Sequence, residues 1–572
     1  MSRTRSLLGA ATVATLVSAA VAVPAVAGSH PAPKPSRYTL GADVESINPT
    51  PEMLAQDFYL GGYGLGSGKA ANQVKVIDGR AATGILKDPQ FPNGLADGVH
   101  VRSVVIGDGA HAIALAQIET QGYYSAYKQG PFGITEIRKH AAADIAKLHG
   151  PAIDPQAIVV DSNHSHSGPD TAGVWGGVPT SYLKMVHDQT VKAIVEAYKK
   201  QQSVELWFGT AHAGVAGMPD RYPAQDPLLT NQFSYDPANQ DVDDELRVIQ
   251  ARKPGNGDVV ATYLNYSSHP TVLGSSNKLV SADYTGPLSA MLSTLGGVGM
   301  QQVATLGRTQ PARDDCPDKT ATGAAADVCK INSYASRVFL RAKQAIAAAK
   351  PLTGAPVVGM KSYLIEDTAT NAPIVALEYG GLAAGAPLYR AQNSPWFTAN
   401  EMGAPVFSGR VGDLLFEGGP GEIYPQIVGK VRETVPAQGH FTIGTAGDFL
   451  GYIVAPLSAY PEPIRRSMFD GAPLPAGNPD CTGGASPVAV PSPAGCPSPV
   501  DNDNYFFNVS HTFGERLTCA MLRGAGAVMK GDDNAYWSTY ELCPTFANDY
   551  VLPAGTDTQF PDQPDLSAVL TH

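Results

Sequence analysis

An apolar run of four residues, Ala157-Ile-Val-Val160, leads directly into Asp161-Ser-Asn-His164-Ser-His166-Ser-Gly-Pro169. The run reads as a buried strand, and the Ser-Gly-Pro that follows turns the chain sharply away from it. Histidines at i and i+2 on a strand, or on its extended exit, point their rings to one side. On a helix the same spacing splays them apart. The segment therefore predicts two imidazoles at the carboxyl edge of a sheet, where open α/β sheets keep their sites. Two chemistries fit it: a first pair of zinc ligands, or one ligand beside a proton shuttle. A solvated loop holding two of the thirteen histidines fits the same letters.

A second strand, Val259 to Tyr266, also ends in histidine, running into Ser-Ser-His269-Pro270. A third apolar stretch, Ala404 to Phe416, leads to Glu417-Gly-Gly-Pro-Gly-Glu422, and a fourth strand is followed by Gly447-Asp-Phe-Leu-Gly-Tyr452. A carboxylate on a Gly-Pro-Gly turn is a plausible ligand position, although a solvated glutamate is the commoner case. Further strands are predicted at 38–47, 97–106, 112–118, 204–210, 246–251, 302–306 and 373–379. Helices are predicted at 133–148, 181–200, 333–349 and 513–528. In the second of these Leu183, Val186, Thr190, Ile194 and Tyr198 share one face. This alternation indicates an α+β or α/β fold with a mixed sheet, flanking helices and a metal site at strand ends. Tyr59-Leu-Gly-Gly-Tyr-Gly-Leu-Gly-Ser-Gly lacks the Lys-Ser/Thr of a phosphate loop and is not a dinucleotide fingerprint. It reads as backbone packed close to a site or a strand.

Arg3 and Arg5, the Ala-rich run to Val23 and the small residues Ala25-Val-Ala27 read as a signal peptide over 1–27, followed by a Pro-rich lead-in at 28–37. Its removal takes two positive charges from a formal net charge of −12, leaving −14. An acidic exported chain without a basic run excludes nucleic acid and anionic lipid headgroups as partners. No later stretch is apolar enough for a transmembrane segment. The six cysteines suit disulfides in an oxidising compartment. Neighbour pairing would join 316 to 329, 481 to 496 and 519 to 543. Residues 466–500 form a Pro/Gly-rich insert that carries the middle pair, and 536–572 reads as an irregular tail. The main domain is expected over 38–465 together with 501–535. Nothing in the letters sets an oligomeric state.

Taken together the motifs resemble the neutral, non-lysosomal ceramidase family of zinc-dependent amidases. The likeness runs from about Tyr38 to Val528. It is carried by Asp97-Gly-Val-His100, Asn163-His-Ser-His-Ser-Gly-Pro169, Asn265-Tyr-Ser-Ser-His-Pro-Thr271, Ser281-Ala-Asp-Tyr-Thr-Gly286, Gly419-Pro-Gly-Glu422 and Gly451-Tyr452. The resemblance implies one zinc ion held by His164, His269, Glu422 and Tyr452. It also implies a proton shuttle at His166 and an oxyanion contact from Arg221; because the other four ligands complete the sphere, His100 reads as a support behind a ligand or as structural. The substrate would be a small amphipathic, lipid-like amide or ester.

The chain departs from the family in two respects. The family carries Gly-Asp-x-Ser-Pro, with a serine needed for activity, where this chain reads Gly307-Arg308-Thr309-Gln310-Pro311. If zinc-activated water is the nucleophile, Gln310 can still donate to the substrate carbonyl. The immunoglobulin-like domain that usually ends the family is also missing. Two other readings stay open. One is a two-metal phosphoesterase using Asp161, Asn163, His164, His166 and His269. The other is a lipid-binding homologue without catalysis.

Overall fold

The computed structural model describes residues 36–63, 79–127, 131–231, 241–307, 309–313, 315–369, 388–389, 401–454, 509–510, 512–545 and 551–552. The predicted signal peptide, the insert with Cys481 and Cys496, the strand at 373–379 and most of the tail lie outside them.

The first sheet contains eight long strands in chain order. They are β1 (Tyr38–Ser46), β2 (His100–Gly107), β3 (Ala112–Ile118), β4 (Ile158–Ser162), β5 (Gln202–His212), β6 (Glu245–Arg252), β7 (Val259–Tyr266) and β8 (Val298–Val303). Their spatial order is β8-β7-β6-β5-β1-β2-β3-β4, with a short ninth strand on β5. Pairing is antiparallel in the middle and parallel at both ends, β3 with β4 and β7 with β8. The mixed sheet is the one the sequence predicts. A second sheet holds β9 (Val358–Thr368), β10 (Glu401–Val411), β11 (Leu414–Gly418) and β12 (Gly439–Ile443), in the order β12-β11-β10-β9.

The two sheets pack face to face because their strands alternate. Leu40, Val104, Ile106, Leu115 and Tyr263 of the first sheet meet Val411, Leu414, Phe416 and Phe441 of the second. Phe416 and Phe441 stack there at 4.7 Å. The intervening residues Val101, Val105, Ala114 and Ala116 face the other way, as a period of two requires. Helices α1 (Ile134–Ile145), α2 (Thr180–Lys199), α3 (Thr285–Ser293) and α4 (Gly323–Ala348) cover that outer face. Helices α5 (Pro425–Thr434) and α6 (Phe513–Lys530) cover the outer face of the second sheet. The result is four layers, helix–sheet–sheet–helix. The predicted α2 face is buried at Leu183, Val186, Thr190, Ile194 and Tyr198.

Three local readings need correction. Ala404 to Phe416 is two strands rather than one, because Gly412 at φ 60° makes the hairpin turn. The segment 307–311, which by its Gly and Pro letters reads as a turn, is partly extended: Thr309–Pro311 is a short strand antiparallel to Leu229–Asn231. Helix α4 begins ten residues before the predicted start at 333, since its first turns are Ala-rich and offer no apolar period. Cys316 pairs with Cys329 and Cys519 with Cys543, as neighbour pairing predicts.

One buried ion cluster ties the layers together. Asp243 accepts from Arg247 of β6 at 2.8 Å and from Arg432 of α5 at 2.8 Å, and it receives the Ser267 hydroxyl at 3.2 Å. Burial would push its carboxyl up, but the two guanidinium groups outweigh burial and hold it far below the usual range. Removing one member of such a cluster strands a buried charge. Asp243→Ala is therefore expected to cost about 3–5 kcal/mol in urea unfolding at neutral pH. A depressed carboxyl stabilises above its unfolded pKa. The gap between variant and parent should thus narrow as pH falls below the ordinary aspartate range.

Candidate metal centre

His164, His269 and Glu422 each reach the centre on a segment that its neighbours hold in place. Strand β4 ends at Ser162, so His164 and His166 lie past the strand rather than on it. The same-side placement expected from a period of two comes about differently. His164 adopts a left-handed backbone, φ 62°, which costs a residue with a Cβ of order 1–3 kcal/mol and must be enforced from outside. The Asn163 amide oxygen accepts from the Ser165 backbone at 3.1 Å, and its nitrogen donates to Thr285 Oγ1 at 2.8 Å. The Ser165 hydroxyl donates to the Ser281 carbonyl at 2.8 Å. These bonds bring the two imidazole centroids to 4.9 Å.

His269 follows β7 through Ser267 and Ser268. Ser267 meets Thr305 Oγ1 at 2.9 Å, Ser268 meets the Tyr334 hydroxyl at 3.0 Å, and Tyr284 donates to the Ser268 carbonyl at 2.9 Å. Glu422 opens a two-residue strand parallel to Tyr452–Ile453, with Glu422 and Tyr452 as register partners. Its backbone N–H donates to the Gly451 carbonyl at 2.8 Å.

These loops converge on one point. Glu422 Oε2 lies 2.8 Å from His269 Nε2, and Oε1 lies 3.3 Å from His164 Nε2. His166 Nε2 lies 3.2 Å from His164 Nε2. On their far sides, His164 Nδ1 faces the Gln121 carbonyl at 2.8 Å and His269 Nδ1 faces the Thr309 carbonyl at 2.5 Å. A carbonyl only accepts, so each Nδ1 carries a proton, and Nε2 is the nitrogen that each ring turns inward, where a metal ion would take its lone pair. Four tetrahedral donors at about 2.0–2.1 Å from zinc stand about 3.3 Å apart. The spacing here is that of one coordination sphere. The three histidines form a metal-capable group.

Electrostatics agree with this arrangement. Burial would push the Glu422 carboxyl up, but His164 and His269 outweigh it and hold it well below the usual range. Burial, reinforced by His164 and His269, holds the His166 imidazole well below its ordinary value. His166 Nδ1 is buried and has no hydrogen-bond partner among the described residues.

The other predicted residues are placed as follows. Tyr452 is buried in the cluster under the second sheet, its ring 6.4 Å from that of Tyr424. Gln310 Oε1 accepts the Thr271 hydroxyl at 2.5 Å, one residue beyond the carbonyl that orients His269. Arg221 is exposed, paired with Asp241 and set against its neighbour Tyr222. His100 is buried with its Nδ1 3.5 Å from Glu119, a structural placement at the start of β2. Arg308 lies outside the described residues. The two-metal reading loses two donors. Asp161 turns into the sheet interior to accept from Gln117 at 3.0 Å and Gln302 at 2.5 Å, and burial pushes its carboxyl well up. The Asn163 side chain is spent on the Ser165 N–H and on Thr285 Oγ1.

No family model matches the chain, and no curated protein matches it. Among solved structures, neutral ceramidase from Pseudomonas aeruginosa superposes with a TM-score of 0.58 at 14% identity, over 87% of this chain and 75% of that one. The chain has the neutral ceramidase fold. A ceramidase complexed with C2 gives 0.57 at 12% identity, over 87% and 76%.

On this ceramidase fold, sequence reasoning missed Gln121, Tyr63 and Arg80. Gln121 acts through its carbonyl, which no residue type announces. The described start of the glycine-rich stretch, Tyr59 to Tyr63, packs close to the site. Gly62, at φ 85°, lies so near the His166 ring that a Cβ would come within 2.4 Å of it. Gly62→Ala should therefore lower stability by about 1–3 kcal/mol by overpacking. The loss should be larger in the metal-loaded protein than in the metal-free one, as read by thermal melting with and without zinc.

Proposed function

We propose that the protein is an exported, single-zinc hydrolase that cleaves the amide, or the ester, of a small lipid-like acyl substrate. The observation that carries this reading is Glu422, which spans the inward Nε2 atoms of two imidazoles whose outer nitrogens are tied to carbonyls. In this reading His164, His269 and Glu422 hold the ion. Tyr452 is the fourth ligand, because register partners on adjacent strands share a face. Zinc bound there supplies Lewis acidity and lowers the pKa of water. His166 stays neutral near pH 7 and accepts a proton at Nε2, the nitrogen that faces the centre. Gln310 has its oxygen committed to Thr271, so its amide nitrogen is the end that donates to a substrate carbonyl. Arg221 contributes by exchanging Asp241 for the developing oxyanion. That exchange is inexpensive, since an exposed pair is worth about 0–1 kcal/mol.

The two disulfides support an oxidising compartment. No described helix is long and apolar enough to cross a membrane.

Metal analysis combined with a panel of fluorogenic acyl amides, esters and phosphates tests the proposal. About one zinc per chain is expected, with activity on amides or esters and none on phosphates. His164→Ala should lose the metal by more than about 100-fold in affinity, since even outer partners of a ligand contribute 10–100-fold. A purified protein that neither holds nor takes up zinc would overturn the reading.

Gln310 decides between a retuned hydrolase and a binding homologue. Gln310→Ser is expected to change the ratio of amide to ester turnover while leaving zinc content unchanged. If the parent protein has no turnover and Gln310→Ser gains it on ceramide, the parent is instead a binding protein.

A further inference from the structure

Arg80 is buried beside the metal-capable cluster, 8% exposed, and among the described residues it has no carboxylate partner. It lies on a short strand, Arg80–Ala81, that pairs with Tyr59–Leu60 just ahead of the glycine-rich loop. Its guanidinium is spent on main-chain carbonyls. Nη2 donates to Gly61 at 2.5 Å and also to His166, and Nη1 donates to Asn277 at 3.0 Å. Its carbon sits 4.8 Å from the centre of the Tyr63 ring. Tyr63 in turn stands edge-on to the His166 imidazole at 4.9 Å, and its hydroxyl donates to the Leu273 carbonyl at 3.1 Å. Gly62 closes the other approach to the same ring. Burying a guanidinium without a counter-charge is costly, and burial pushes this one down to about 10. A neutral amide offers only two N–H donors for the three carbonyls met here, and an ammonium lacks the rigid planar fork that reaches several at once.

We propose that Arg80 is a positioning residue of the centre. By gripping the Gly61 and His166 carbonyls on one fork, it clamps the glycine loop over the His166 ring and sets the direction in which Nε2 faces. The inference rests on the metal-centre reading for its purpose, but the clamp itself is independent of any ion.

The test uses the full chain as parent, Arg80→Ala and Arg80→Lys. Arg138→Ala serves as a comparator, because Arg138 is also buried and holds a carbonyl, that of Pro155, at 2.7 Å on α1. The first readout needs no metal: the carbethoxylation rate of His166, followed by peptide mass mapping at a temperature where all four proteins are folded. Reactivity should rise in the order parent, Arg80→Lys, Arg80→Ala, with Arg138→Ala matching the parent. The second readout is a cobalt(II) titration followed in the visible spectrum. Arg80→Ala should lose about 10–100-fold in affinity, with an altered ligand-field band, and Arg80→Lys should recover part of both. Unchanged His166 reactivity in Arg80→Ala overturns the proposal, as does a rise no larger than in Arg138→Ala. If Arg80→Ala does not fold, Arg80→Lys decides alone, and parent-like reactivity overturns the clamp. Should the parent take no cobalt while His166 still becomes reactive in the Arg80 variants, the metal reading falls and the clamp stands.

Discussion

Glu422 carries a charge that the interior would not otherwise tolerate. It is 5% exposed, and both oxygens face imidazole nitrogens. An isolated buried carboxylate would protonate rather than remain ionised. Its neighbours keep it charged only while His164 and His269 stay within reach of its two oxygens. Those histidines come from the ends of β4 and β7, which lie on opposite halves of the first sheet. The carboxylate comes from a turn after the second sheet. Charge at Glu422 thus demands that both layers and two distant strands agree in position.

The fold meets that demand with one segment. Residues 444–447 run between the exits of β4 and β8. Ser162 and Thr445 exchange a backbone bond at 3.1 Å, Gly447 donates to the Val160 carbonyl at 2.9 Å, and Thr445 donates to the Gly421 carbonyl at 2.8 Å. The strand that delivers His164 is thereby stitched to the turn that delivers Glu422. Gly307 donates to the Ile423 carbonyl at 3.1 Å, which brings the Gln310 segment into the same frame. The described non-glycine residues with positive φ are His164, Asp283 and Thr445. Thr445 belongs to this stitching, and Asp283 accepts backbone N–H groups of Val272 and Leu273, just past His269. Strain collects where loops are over-determined, which is where a preorganised site needs it.

How much of this the sequence discloses depends on whether side chains or main chain do the work. Strand β7 ending in His269, the Gly-Pro-Gly turn before Glu422 and the apolar run before His164 are legible, because burial writes a period and a stop into the letters. The mixed sheet follows from the same signals. The left-handed turn at His164 is not legible, since Asn163, Ser165 and Thr285 enforce it across 122 residues of sequence. Gln121 and Thr309 orient the ligands through carbonyls, which every residue possesses. Arg80 would read as an ordinary surface arginine, because its partners are carbonyls too. The predicted oxyanion role of Arg221 rests on family likeness alone, and in the structure that residue holds Asp241.

The substitution at position 310 fits this division of labour. Whichever residue stands there, the neighbouring Thr309 carbonyl must still receive His269 Nδ1, so the backbone path of the segment is constrained by His269. The side chain is constrained only by what it meets in front of the centre. A glutamine whose oxygen is held by Thr271 keeps that path, and it exchanges a hydroxyl near the centre for an amide donor. The ligand frame can therefore outlast a change in the group that addresses the substrate. On the proposed reading the histidine–carboxylate cluster and the substrate preference are separable: the first is held by main-chain contacts from several loops, the second would be set by one side chain on a short edge strand.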